Sequence, residues 1–280
     1  MSRKPEDLID LIAELRQRQA EFCVVTVVRT QDATSAKAGA KAVVTGEGEI
    51  HGHIGGSCVQ GATRSVAAEV LKSGMPRLIR VKPKERVVER LDADGVEQYK
   101  SGCPSGGTVD LFIEPMRRAP RLIVCGGSPV AVALAELGSA MGYRVAIAAQ
   151  PEDHGRFGDA DELAEGFGLA GLNVAERDYI IVATQGKGDR DALAAALSSP
   201  AEYVSLVGSR RKAEVLRARL REQGIGDNML ARLHAPAGLD IAAIEPNEIA
   251  LSILAEIVRV RRGSIRNAGA HAAPIAVSRK

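Results

Sequence analysis

The sequence predicts an α/β protein, an N-terminal α+β region followed by a doubly wound parallel sheet. Three observations carry this. After residue 120, continuous apolar strand patterns alternate with helical stretches, the rhythm of βαβ units. Before residue 115, strand patterns follow one another and only two helical stretches interrupt them. The core must also be aliphatic, because hydrophobic residues make up 45% of the chain while aromatics make up 3% and Trp is absent. A Val/Ile/Leu/Ala interior suits helices packed on a buried sheet.

The elements read in order as follows. Leu8, Ile9, Ile12 and Leu15 share a face at helical spacing, which predicts a helix over 5–20. Phe22–Arg29, Ala40–Thr45 and Glu49–Ile54 read as strands, the last two joined by a turn at Gly46-Glu47-Gly48. A helix follows from Cys58 to Leu71, then strands at Leu78–Val81, Val87–Leu91 and Thr108–Glu114. Pro115–Pro120 carries two prolines and two arginines and reads as a linker. Beyond it come a strand at Arg121–Cys125, a helix at Pro129–Met141 with Pro at its first turn, and a strand at Tyr143–Ala148. Strands at Tyr179–Ala183 and Tyr203–Val207 precede helices at Asp189–Leu197 and Ser209–Gln223, and a last helix spans Pro246–Arg262. The 280 residues suit two domains, expected at 1–115 and 121–262, with a linker at 116–120 and a basic tail at 263–280.

Composition excludes several classes. The net charge of +2 gives no overall field for nucleic acid or a membrane surface, and so few aromatics leave no base-stacking surface. Six Lys/Arg and no acid stand between Arg259 and Lys280, the pattern of a solvated tail. Cys23, Cys58, Cys103 and Cys125 form no CxxC pair, which points to thiols in a reducing compartment. The N-terminal stretch is acidic and amphipathic, unlike a signal peptide, and no apolar run reaches the ~18 residues of a membrane span. A cytoplasmic protein is expected.

Five constellations could carry chemistry. In Gly55-Gly56-Ser57-Cys58, two glycines allow a tight turn, and a helix starting there favours an anion and lowers the pKa of the Cys58 thiol. The alternative is a small hydrophobe at a helix start. His51 and His53 share one face of a strand, but without a fixed ligand spacing no metal site is assigned. Cys103 lies in a Gly/Ser loop, Ser101–Gly107, where function is more common than in strands. Gly126-Gly127-Ser128 after an apolar strand is similar to a dinucleotide-binding turn, although Ser128 replaces a glycine and Gln150 stands where an acid would hold a ribose. Gln185 and Lys187 lie in one loop at a later strand end, and Gly208, Ser209 and Arg210 in another, the place where open α/β sheets bind phosphate-bearing ligands. Ser209 suits a helix cap. Cys23 and Cys125 fall in apolar strands and read as inert core residues.

Ile54–Val59, Gly208-Ser209-Arg210-Arg211, His234–Ile241 and Glu248–Ile257, in that order, resemble the XdhC/CoxI family, whose second domain is Rossmann-like. Cys103–Gly107 with Phe112–Pro115 resembles the carbon monoxide dehydrogenase branch of that family. The resemblance implies a maturation factor for molybdenum hydroxylases such as carbon monoxide dehydrogenase or xanthine dehydrogenase. Its cofactor would be the molybdenum cofactor, as molybdopterin or its cytosine dinucleotide. Cys58 and Cys103 would be the sulfur or metal contacts. Gly55, Gly56, Ser57, Gly126, Gly127, Ser128, Gln185, Lys187, Gly208, Ser209 and Arg210 would cradle its phosphate or nucleotide end. Expected partners are the apo-hydroxylase, a sulfur donor such as a cysteine desulfurase, and a second copy in a homodimer. Two other readings compete: a nicotinamide-dependent oxidoreductase and a non-catalytic phosphate-binding scaffold. Gln60 replaces an acid of the family motif, so a role for an acid there is not carried over.

Overall fold

The computed structural model describes residues 7–102, 107–158 and 160–269, without the side chains of 264–269. The chain divides into two compact units, one running to Arg118 and resuming at Gly263, the other spanning Ala119–Arg262.

The first unit contains α1 (Leu8–Gln17), β1 (Phe22–Gln31), β2 (Lys41–Thr45), β3 (Ile50–Gly52), α2 (Ser57–Ser73), β4 (Arg77–Pro83), β5 (Glu97–Ser101) and β6 (Thr108–Met116). These strands form one mixed sheet in the order β3-β2-β1-β6-β4-β5, with β4 and β5 parallel and the other pairs antiparallel. The two-residue period sends Cys23, Val25, Val27, Leu111, Ile113 and Ile79 to one face, where Val59, Val66 and Val70 of α2 cover them. Phe22, Val24 and Val43 point to the other face, against Leu8, Leu11, Ile12 and Leu15 of α1. Asp7 caps α1 by accepting the Ile9 N–H at 3.0 Å.

Two expectations are corrected here. Val87–Leu91 is no strand. Lys84–Arg86 form a 3₁₀ turn, Val88 is 91% exposed, and only Leu91 makes an isolated bridge, to Glu97. β-branched residues alone do not make a strand when no apolar face is there to bury them. The edge strand is instead the polar β5, which pairs along β4 while Tyr99 packs against the core. The expected linker also starts later, because β6 runs on through Pro115 and Met116. Pro115 pairs with Cys23 beyond the last β4 partner, Arg77 opposite Ile113. Pairing on one side only tolerates a proline.

The second unit holds β7 (Arg121–Cys125), α3 (Pro129–Ala140), β8 (Arg144–Ala149), β9 (Glu162–Glu165), β10 (Asp178–Val182), α4 (Asp189–Ser198), β11 (Tyr203–Leu206), α5 (Arg210–Glu222), α6 (Asp227–Leu230), β12 (Leu233–His234) and, as far as Arg262, α7 (Pro246–Gly269). All six strands are parallel, in the order β12-β11-β10-β7-β8-β9. The chain winds outward from β7 to β9, then returns to the other side of β7 with β10. This is a Rossmann-like doubly wound sheet with its switch point between β7 and β10. Helices α3 and α7 cover one face and α4 and α5 the other. The short β9, α6 and β12 have no counterpart in the sequence reading. The last helix does not stop at Arg262 but runs to Gly269, into the expected tail.

At the amino end of this sheet a buried ion pair ties two neighbouring strands. Arg121 and Asp178 are register partners, and Arg121 Nη2 lies 2.6 Å from Asp178 Oδ2. The same guanidinium reaches Glu162 of β9 at 3.2 Å. Replacing Arg121 by Met leaves the Asp178 carboxylate buried without its guanidinium. Arg121→Met should lower stability by about 3–5 kcal/mol, read as a lower urea midpoint at unchanged slope.

Candidate functional site

In the first unit, the candidate site is the amino end of α2. After β3 the chain turns through buried Ile54 and Gly55, whose φ of +130° is open to glycine and strained for other residues. A Cβ on Gly55 would stand 3.2 Å from the Val59 side chain. Gly56 is the N-cap residue and offers no side-chain cap, and no acid lies in the first turn. The helix begins at Ser57, one residue before the expected start, so Cys58 is its second residue. Ser57 is exposed and Cys58 half-buried. The amino end thus presents backbone N–H groups and the positive end of the helix dipole beside a thiol. Gln60 donates its side-chain N–H to the Gly55 carbonyl at 3.2 Å and so closes the turn.

The other thiols differ. Cys23 and Cys125 are fully buried, and burial pushes both up to about 12, with Arg117 pulling Cys23 slightly back. Both are core residues, as their strand positions suggest. Cys103 lies outside the described residues. Among the described residues, no group of three or more His, Cys, Asp or Glu is placed to hold a metal ion, and no helix is long and apolar enough to cross a membrane.

In the second unit, the carboxyl ends of adjacent strands bring three of the predicted loops to one edge. Gly126 has φ +117°, and a Cβ there would stand 2.6 Å from the Ala183 carbonyl, so the turn after β7 presses against the end of β10. At Gly127, however, the neighbour is an acid: an added Cβ would collide with the Asp153 carboxylate. Arg156 lies 3.6 Å from Asp153 and donates to the Gly127 carbonyl. Ser128 is buried and turned inward, accepting the Ala131 N–H at 3.1 Å as the cap of α3. Gln150, at the end of β8, is exposed.

The loop after β10 exposes Gln185 and Lys187, with Gln185 at φ +51°. It is pinned by the buried Asp189, which accepts from the Thr184 hydroxyl and pairs with Lys212 Nζ at 2.6 Å. After β11, Gly208 leads to Ser209, which caps α5 by accepting the Lys212 N–H at 3.2 Å. Arg210 is exposed.

One cluster escaped the sequence reading. Glu256 of α7 is 6% exposed and gathers four partners. The Tyr203 hydroxyl donates to it at 2.7 Å and the Gly238 N–H at 2.9 Å, while His234 Nδ1 lies at 3.3 Å and Arg259 at 3.1 Å. These contacts tie β11, β12, the 235–245 loop and α7 together. His234 and Tyr203 also stack, ring centroids 4.5 Å apart. Burial raises the Glu256 carboxyl, but Tyr203, Gly238 and His234 outweigh it and hold the group below the usual range. The only sequence signal is His234-Ala235-Pro236-Ala237-Gly238 together with Glu256, which carries the family resemblance. No local pattern links residues so far apart in the chain.

Two outcomes follow from this geometry. Iodoacetamide on the native protein should label Cys58 while sparing Cys23 and Cys125, checked by peptide mass spectrometry. A carboxyl whose pKa is lower folded than unfolded stabilises the fold above its unfolded value, and that contribution fades as pH falls through the folded one. Glu256→Gln should therefore lower stability by about 2 kcal/mol at neutral pH and flatten its acid-side decline, measured by urea unfolding across pH.

Comparison with known proteins places the chain. The family described as XdhC Rossmann domain matches residues 122–257, and the XdhC and CoxI family matches residues 15–82. YqeB of Escherichia coli strain K12 is 31% identical over 262 residues, covering 90% of this chain and 46% of that protein. A probable xanthine dehydrogenase subunit of Bacillus subtilis strain 168 is 29% identical over 162 residues, 55% of this chain and 47% of that protein. The chain thus spans about half the length of these two relatives. The molybdenum cofactor insertion chaperone PaoD of Escherichia coli strain K12 is 24% identical over 276 residues, 85% of this chain and 83% of that protein. With both family matches in chain order on the two folded units, the chain belongs to the XdhC and CoxI family.

Proposed function

We propose that this chain binds the molybdenum cofactor, as molybdopterin or its cytosine dinucleotide, and assists its sulfuration and insertion into a molybdenum hydroxylase. The observation that carries the reading is the amino end of α2, where the half-buried Cys58 stands in a first turn free of acids and of side-chain caps. A phosphate-bearing cargo suits such an end, and a thiol one residue into the helix stands beside it. The likeness to PaoD, which extends over most of both chains, supports the same role.

In this reading Cys58 contacts the sulfur or the molybdenum, and Cys103 is the second candidate. Gly55, Gly56 and Ser57 supply backbone to the cargo. Gly126, Gly127, Ser128, Gln185, Lys187, Gly208, Ser209 and Arg210 belong to a second, phosphate-facing edge, although Asp153 stands against Gly127. The partners are the apo-hydroxylase, of the carbon monoxide or xanthine dehydrogenase kind, a sulfur donor such as a cysteine desulfurase, and a second copy of the chain. A nicotinamide-dependent oxidoreductase is the weaker reading, because Ser128 stands where the dinucleotide turn needs a glycine and Gln150 where an acid would hold the ribose. A scaffold without chemistry would tolerate loss of every thiol.

The protein purified after co-expression with cofactor synthesis should release a fluorescent pterin on oxidation, and its absence would sink the reading. Cys58→Ala should keep the fold, judged by circular dichroism, yet lower activation of the partner hydroxylase several-fold.

A further inference from the structure

The turn after β7, where this fold class usually seats a phosphate, is filled from within by Asp153. The cationic side chains of the second unit gather elsewhere. Between the 184–188 loop and α5 lies a cleft of about 440 Å³, lined by Asp189, Arg211, Lys212, Val215, Leu216 and Arg219. That volume lies within the range of small-molecule sites. Arg211, Val215 and Arg219 recur every fourth residue and so form one stripe of α5, the two guanidinium-bearing residues about 12 Å apart along the axis. Val215 is 46% exposed between them.

Three other arginines of this unit are paired with acids. Arg144 pairs with Glu162 at 2.7 Å, Arg190 with Asp191 at 3.1 Å, and Arg221 with Asp227 at 2.7 Å. Among the described residues, Arg211 and Arg219 have no acid partner. The acid in the cleft, Asp189, is already held by Lys212 at 2.6 Å and by the Thr184 hydroxyl. With three cations and one acid, the lining carries a net charge of about +2. At the helix end Ser209 already takes the Lys212 N–H, and the recognition element is the side-chain stripe.

We propose that the α4–α5 cleft is the anion subsite of the second unit, taking a phosphate or pyrophosphate ester. Its phosphate lies on Arg211, beside the Lys212–Asp189 pair, and its flat or apolar body lies on Val215 toward Arg219. A guanidinium matches a phosphate with two parallel N–H donors. This deepens the cofactor-binding reading, on which it rests, by moving the phosphate contact from the Gly126 turn to α5.

The test is isothermal titration of the full chain with inorganic pyrophosphate. Saturable binding is expected, weakened about tenfold or more by Arg211→Ala and unchanged by Arg190→Ala, an exposed arginine outside the cleft. Val215→Asp, which sets a carboxylate on the stripe, should weaken it at least as much. Circular dichroism of each variant checks the fold. Absence of saturable binding, or equal affinity in all variants, overturns the proposal. So does a set of variants that bind pyrophosphate normally but no longer activate the hydroxylase, which would assign the stripe to an acidic protein surface. Pterin retention read on the same proteins separates the two ideas. Retention undiminished in Arg211→Ala removes the cleft and leaves the cofactor reading standing, and a chain without pterin removes the latter whatever pyrophosphate does.

Discussion

The second unit is organised by a close approach of backbones at its switch point. Gly126 lets the turn after β7 lie against the Ala183 carbonyl and Thr184 at the end of β10, a contact that any Cβ would prevent. With β7 and β10 in register from Arg121–Asp178 to Cys125–Val182, the strands can end side by side and send their loops to one edge. The same compactness leaves little room at the turn itself. Asp153 occupies the space over Gly127 and Ser128 turns inward as a cap, so a shape that resembles a dinucleotide turn in sequence meets a negative charge in space.

The opposite arrangement holds in the first unit. There the glycine turn at Gly55-Gly56 opens onto a helix end with neither side-chain cap nor acid, and Gln60 closes the turn through the Gly55 carbonyl. The thiols separate by environment: Cys23 and Cys125 are strand residues in dry cores, and burial makes their ionisation unfavourable. Cys58 stands half-buried on a helix end. A sulfur or metal contact needs access, and among the described cysteines only Cys58 has it.

Glu256 shows how a family motif can be mostly architecture. Its carboxylate gathers a hydroxyl, a backbone N–H, an imidazole and a guanidinium, and so fixes the path of the 235–245 loop at the carboxyl edge of the sheet. A buried carboxylate satisfied this fully is ordered, and its removal would leave donors without partners.

The fold class, the long strands and helices, the N-cap role of Ser209 and the inert character of Cys23 and Cys125 are all legible in the amino-acid sequence. Each depends on periodicity, on caps or on apolar context within a short window, which the chain carries locally. The polar edge strand β5, the short β9 and β12, the continuation of β6 through Pro115 and the Glu256 cluster emerge only in three dimensions. Their stability rests on pairing with neighbours distant in the chain, and local propensity there is weak or contrary. The same holds for the carboxyl edge of the second unit. Glycine-rich turns mark in the sequence where loops form, but whether an acid fills the space above a turn, or cations line a neighbouring cleft, depends on side chains brought together from separate elements. For that reason the turn at Gly126 and the stripe from Arg211 to Arg219 take their opposite charge only from the packing of the elements around them.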